Sequence, residues 1–155
     1  MSKYSGTTFI FICLYTLSQN CLNAREVITF ISLDNERTVI RGELFKPKNV
    51  NKPPAIVMMH GCSGLYTRSG NLRTNSASWI NRFLEWGYIV LAVDGFTPRG
   101  FRTMCKKKNR PLHSIDDRPF DAYGGLAWLS RQPFVNKNQV FLIGWSNGAM
   151  AALAS

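Results

Sequence analysis

Three short, largely apolar runs set the pattern of this chain: AIVMM at 55–59, YIVLAV at 88–93 and QVFLI at 139–143. Runs of this length without polar alternation are what strands buried on both faces require. Between the first two, residues 76–86 carry Trp79, Ile80, Phe83 and Leu84 at helical spacing, and Gly87 follows as a stop. Between the second and third, residues 121–130 repeat the pattern with Tyr123, Leu126, Ala127 and Leu129, and Asp117 or Asp121 could start that helix. Upstream, 27–33 and 38–45 are β-rich and flank the turn signal Asp34-Asn35-Glu36, so they predict an antiparallel hairpin. Residues 46–54, with Pro47, Pro53 and Pro54, read as a loop, and 96–115 as a long, basic, proline-bearing excursion. The predicted class is α/β: an N-terminal β-hairpin followed by three parallel strands with intervening helices on both faces. Ligands of such sheets bind at the carboxyl ends of the strands.

The first 24 residues depart from this pattern. Lys3 precedes an apolar stretch at 8–17, and Leu22-Asn23-Ala24 places a small residue at its end. That is the form of an export signal cleaved after Ala24, which leaves 25–155 as the folded domain and a secreted or periplasmic protein. The stretch is too short to span a bilayer comfortably; a buried strand or an uncleaved anchor are the alternatives. Cleavage would remove Cys13 and Cys21 and leave Cys62 and Cys105. An even pair in an exported chain points to a disulfide, with two free thiols as the alternative. The formal charge is +10, from 19 basic and 9 acidic residues. The one dense basic run is Lys106-Lys107-Lys108-Asn109-Arg110, and no nucleic-acid motif accompanies it. It reads as a solvated loop rather than a nucleic-acid surface.

The chemistry concentrates at Gly144-x-Ser146-x-Gly148, where the third run must turn abruptly into AMAAL. In a strand-to-helix elbow the glycines keep side chains clear of a strained serine, whose hydroxyl is presented at the top of the sheet. Acyl transfer also needs two backbone N–H groups aimed at the developing oxyanion. One belongs to the residue after the nucleophile, Asn147; the other to the loop after the first buried strand, His60-Gly61-Cys62-Ser63-Gly64, where Cys62 is the candidate. His60 begins that loop and is expected to shape it rather than act as base. Asp94, at the end of the second run, is expected to orient a loop. A triad of this kind runs Ser, then Asp or Glu, then His. Residues 147–155 contain no acid and no histidine, and His113 precedes the elbow.

The segments IVMMHGCSGL, GYIVLAVDGFTPRG, RPFDAYGGLAWLSRQPFV and FLIGWSNGAMAAL, together with Cys105, resemble the secreted, serine-type branch of the dienelactone-hydrolase family of α/β-hydrolases, through most of 54–155. The resemblance implies a truncated α/β-hydrolase fold. It also implies hydrolysis of a small-molecule ester or lactone through a Ser146 acyl-enzyme, without metal or cofactor, with Cys62 and Asn147 as oxyanion donors. Dienelactone hydrolases proper carry cysteine in this elbow, so serine here suggests a more general esterase. Arg99, in a matching segment, could meet a substrate carboxylate or simply pack its loop. Family members continue for roughly another hundred residues, with the triad acid and histidine. The expectation is therefore an N-terminal portion, inactive alone; the alternative is a catalytically dead α/β-hydrolase-like binding module.

Overall fold

A computed structural model describes residues 25–155; the expected export signal at 1–24 lies outside the described residues. Five strands form one sheet: β1 (Arg25–Ile31), β2 (Val39–Phe45), β3 (Ala55–Met59), β4 (Ile89–Asp94) and β5 (Val140–Gly144). Three helices complete the described chain: α1 (Thr74–Glu85), α2 (Arg118–Ser130) and α3 (Asn147–Leu153). The strand order is β1-β2-β4-β3-β5, with β1, β2 and β4 paired antiparallel and β4, β3 and β5 parallel. The expected hairpin and three parallel strands are thus both present. No helix among the described residues is long and apolar enough to cross a membrane.

The uninterrupted apolar runs follow from burial on two faces. In β3, Ala55, Val57 and Met59 face one core cluster with Leu91, Val93, Ala122, Leu129 and Ala151. Ile56 and Met58, pointing the other way, join Val90, Ala92, Ile80, Phe83 and Leu84. Hence α2 and α3 cover one face and α1 the other. The helix α1 ends where Gly87 takes a φ of 84°, the left-handed stop that glycine supplies. The excursion after β4 has a small core of its own, in which Phe96, Met104 and Leu112 are buried and Phe101 packs alongside. Its first turn is a 3₁₀ turn, Thr97–Arg99. Cys105 in this excursion is disulfide-bonded to Cys62, with Cα atoms 4.9 Å apart. Met104 N–H also donates to the Cys62 carbonyl at 2.7 Å. The excursion is therefore stapled to the loop that follows β3.

Helix α2 can lie close to the hairpin because Gly124 presents no side chain. A Cβ there would overlap the Ile31 carbonyl and lie 3.1 Å from Ser32 Cα. Backbone cannot retreat as a flexible side chain can. Gly124→Ala is expected to lower the unfolding free energy by about 1–3 kcal/mol, measured by urea denaturation; an unchanged midpoint would mean that α2 is not pressed against the end of β1.

Candidate active site

Residue 146 is where the chain stops being a strand and becomes a helix. Ser146 has φ 51° and ψ −117°, a conformation that residues with a Cβ rarely adopt and that costs on the order of 1–3 kcal/mol. The backbone around it shows what enforces the bend. A Cβ on Gly144 would overlap the Gly148 carbonyl and lie 2.7 Å from Ala149 N. One on Gly148 would overlap the Met59 carbonyl and lie 2.6 Å from the His60 carbonyl oxygen. Gly61, in the loop after β3, faces the same bend: its Cβ position lies 3.1 Å from Trp145 O and 3.6 Å from Ser146 Cβ. Three backbone segments thus meet at glycines, and Ser146 alone among residues 146–148 is exposed. Gly148 N–H closes the turn on the Trp145 carbonyl at 2.9 Å, and Met150 N–H reaches the Ser146 carbonyl at 3.0 Å.

Asn147 is the first residue of α3, where N–H groups have no partner within the helix. Cys62 lies one residue beyond Gly61 in the loop after β3. Its sulfur is held by Cys105 and is not a free thiol in this state.

An arginine that the pattern did not mark joins these parts. Arg118, at the start of α2, is fully buried. Its Nη1 donates to the His60 carbonyl at 2.9 Å and to Asn147 Oδ1 at 2.5 Å. One guanidinium nitrogen therefore ties the loop after β3 to the first residue of α3. Its Cζ lies 4.9 Å from the centroid of the Phe96 ring, a cation–π contact. No carboxylate pairs with it among the described residues. Burial, against the opposing charge of Asp121, brings its pKa down to about 10, so it remains a cation at neutral pH. Arg118 sits in the run DDRPFD, which reads as a polar helix start, and nothing in that spacing signals burial.

His60 is buried, edge-on to Phe96 at 4.5 Å between ring centroids. Its Nδ1 lies 2.8 Å from the Gly61 carbonyl. A carbonyl can only accept, so Nδ1 carries the proton. Burial, and then the charge of Arg118, push its pKa down to about 3. This imidazole is neutral and turned into its own loop. His113 is exposed and pairs with Asp116 at 3.2 Å. Neither histidine is hydrogen-bonded to Ser146. Asp94 is buried and accepts from Thr97 N–H at 3.1 Å, so it orients the loop after β4.

Arg99 is engaged elsewhere. Its Nη1 and Nη2 form a fork on Asp121, both at 2.9 Å, and Nη2 also reaches Asp34 at 2.9 Å. These contacts join the hairpin turn, the 3₁₀ turn and α2. No group of three or more His, Cys, Asp or Glu that could hold a metal occurs among the described residues.

The neutral His60 has a consequence for stability. Its folded pKa, about 3, lies below its ordinary 6.5, so between these values the unfolded chain binds the extra proton. Its contribution is complete above about pH 6.5 and is lost as pH falls toward 3, on the order of 5 kcal/mol across that window. Urea unfolding at a series of pH values should show a shallower decline below pH 6.5 for His60→Gln than for the parent chain. Parallel declines would contradict burial of a neutral imidazole here.

No protein-family model matches the chain. Solved structures with similar coordinates include an α/β hydrolase, GrgF, from Penicillium sp. sh18, at TM-score 0.58 and 20% identity, covering 78% of this chain and 37% of that one. A dienelactone hydrolase from Anabaena variabilis matches at TM-score 0.62 and 18% identity, covering 84% of this chain and 56% of that one. The esterase Est22 matches at TM-score 0.61 and 16% identity, covering 84% of this chain and 37% of that one. The chain thus spans between 37% and 56% of the length of these three structures. At such identities the likeness is one of fold: residues 25–155 form an α/β-hydrolase sheet with its strand-to-helix elbow at Ser146.

Proposed function

We propose that this chain belongs to an exported serine hydrolase of the dienelactone-hydrolase type that acts on a small-molecule carboxylic ester or lactone. Ser146 is the nucleophile, and the backbone N–H groups of Cys62 and Asn147 stabilise the oxyanion. The observation that carries the reading is the strained, exposed Ser146 at φ 51° with Gly61 packed beside it. The serine oxygen gives its proton to a base as it attacks the ester carbonyl, and the electron pair moves onto the carbonyl oxygen facing the two amides. Collapse of that intermediate breaks the bond to the leaving oxygen, which takes the proton from the base and departs as the alcohol, leaving an acyl-Ser146 that water then hydrolyses. Residues 1–24 serve as the export signal, and the Cys62–Cys105 disulfide suits an oxidising compartment.

A serine at its ordinary pKa is a weak nucleophile and needs a base. His60 points into its own loop and His113 pairs with Asp116, so the reading assigns the base and its acid to residues outside the described ones. The second reading, an α/β-hydrolase-like binding module without turnover, is favoured by this same placement of the two histidines. The 155-residue chain can separate them, because free imidazole can stand in for a missing base. With a fluorophosphonate probe, the chain alone should label slowly, and added imidazole should raise the rate at least about tenfold. Peptide mapping should place the adduct on Ser146, and Ser146→Ala should abolish it. Labelling that ignores imidazole and survives Ser146→Ala would remove the nucleophile from the proposal and leave the binding module.

A further inference from the structure

Between β2, the loop after β3 and the excursion after β4 lies a cleft of about 550 Å³ that includes neither Ser146, Cys62 nor Asn147. Its walls include Arg41, Tyr66, Arg68, Thr97, Phe101 and Arg102. Three guanidinium groups therefore come from three segments: β2, the loop after β3 and the excursion after β4. No carboxylate is among the lining residues. Two fully buried carboxylates act on Arg41 from behind: Asp94, which accepts from Thr97 N–H, and Glu43, which is already engaged. Arg25 forks onto both of its oxygens, and the Tyr66 hydroxyl donates to it at 2.5 Å. Arg41 stands 3.7 Å from Glu43 Oε1, beyond hydrogen-bond distance, and its Nε has no partner. Arg68 and Arg102 are exposed, and neither is ion-paired with a carboxylate among the described residues.

Two aromatic rings, Tyr66 and Phe101, share the wall with Thr67, Gly70, Thr97 and Gly100. The Tyr66 ring lies beneath the Arg41 guanidinium, 5.6 Å from its Cζ, and Phe101 is half-buried. Burial, and then the bond to Glu43, push the Tyr66 phenol well above its ordinary pKa, so the ring is a neutral platform at any physiological pH. The backbone of one wall is held in place: the Arg102 carbonyl packs where a Gly64 side chain would sit, and Met104 and Cys105 are bound to Cys62. A cleft of this size suits a small organic molecule, and backbone already held reduces the ordering that binding costs.

We propose that this cleft binds an organic anion with a flat apolar body, its carboxylate held by Arg68, Arg102 and Arg41 and its ring against Tyr66 and Phe101. Guanidinium forks match a carboxylate in plane and charge. A bare inorganic anion would leave the aromatic wall unused, and a neutral ring would leave the Arg68 and Arg102 cations without an ion-pair partner. The binding does not depend on the serine-hydrolase reading, and it is measured without turnover.

NMR titration of the full chain with benzoate, methyl benzoate and inorganic phosphate, at low salt, tests it. Benzoate should bind saturably, with shifts at Tyr66, Phe101 and Arg102. Methyl benzoate and phosphate should each bind at least about tenfold more weakly. The double variant Arg68→Gln/Arg102→Gln changes two exposed residues, should keep the parent near-UV spectrum, and should weaken benzoate about tenfold. Ser146→Ala should bind benzoate like the parent. The proposal is overturned by methyl benzoate or phosphate matching benzoate, by a double variant that binds normally, by the absence of saturable benzoate binding, or by loss of binding in Ser146→Ala.

Discussion

Three backbone segments meet around Ser146 with no side chain between them, and the geometry of the site depends on that contact. Gly61, Gly144 and Gly148 each face backbone atoms at distances that leave little or no room for a Cβ. With those positions bare, the end of β3, the end of β5 and the start of α3 close on one another. The serine between them takes the positive φ that would relax if any of the three drew back. The strain is local; the packing that sustains it is spread over a sheet in which β3 and β4 are buried at every position.

Buried charge reinforces the same contact. Arg118 lies beneath the elbow and grips both sides of it through His60 O and Asn147 Oδ1. An arginine in this position is expensive unless its donors are used; here Nη1 has two oxygen partners and the guanidinium lies against the Phe96 ring, while Nε and Nη2 have no hydrogen-bond partner. Its positive charge also helps keep His60 neutral, so the imidazole shapes its loop rather than exchanging protons with solvent. A separate ion cluster, Arg99 with Asp34 and Asp121, ties the hairpin turn to α2. The hairpin is thereby attached to the parallel part of the sheet by side chains as well as by the β2–β4 ladder.

Most of the elements were legible in the sequence, because the signals were strong ones. A fully apolar five-residue run such as AIVMM can only be satisfied with cover on both faces, and it is β3 to the residue. The helices were legible to within a few residues; α2 begins at Arg118, ahead of the periodic part that starts near Asp121, because Pro119 sets the first turn without adding an apolar position. The elbow was legible because glycine spacing, strand and helix all coincide there. What periodicity does not contain is long-range pairing. The insertion of β4 between β2 and β3 has no local signature, and neither does the burial of Arg118 or Glu43, both of which look like ordinary surface charges. The two possible roles of Arg99 also had the same local sequence; only the approach of Asp34 and Asp121 distinguishes its partners.

The most direct measurement is a crystal structure of the chain with a phosphonate attached to Ser146. The account requires residue 146 to retain a positive φ between β5 and α3, with a phosphonyl oxygen about 2.7–3.1 Å from the amide nitrogens of both Cys62 and Asn147. A phosphonyl oxygen turned to solvent, or a residue 146 absorbed into a continuous helix away from Gly61, would contradict it.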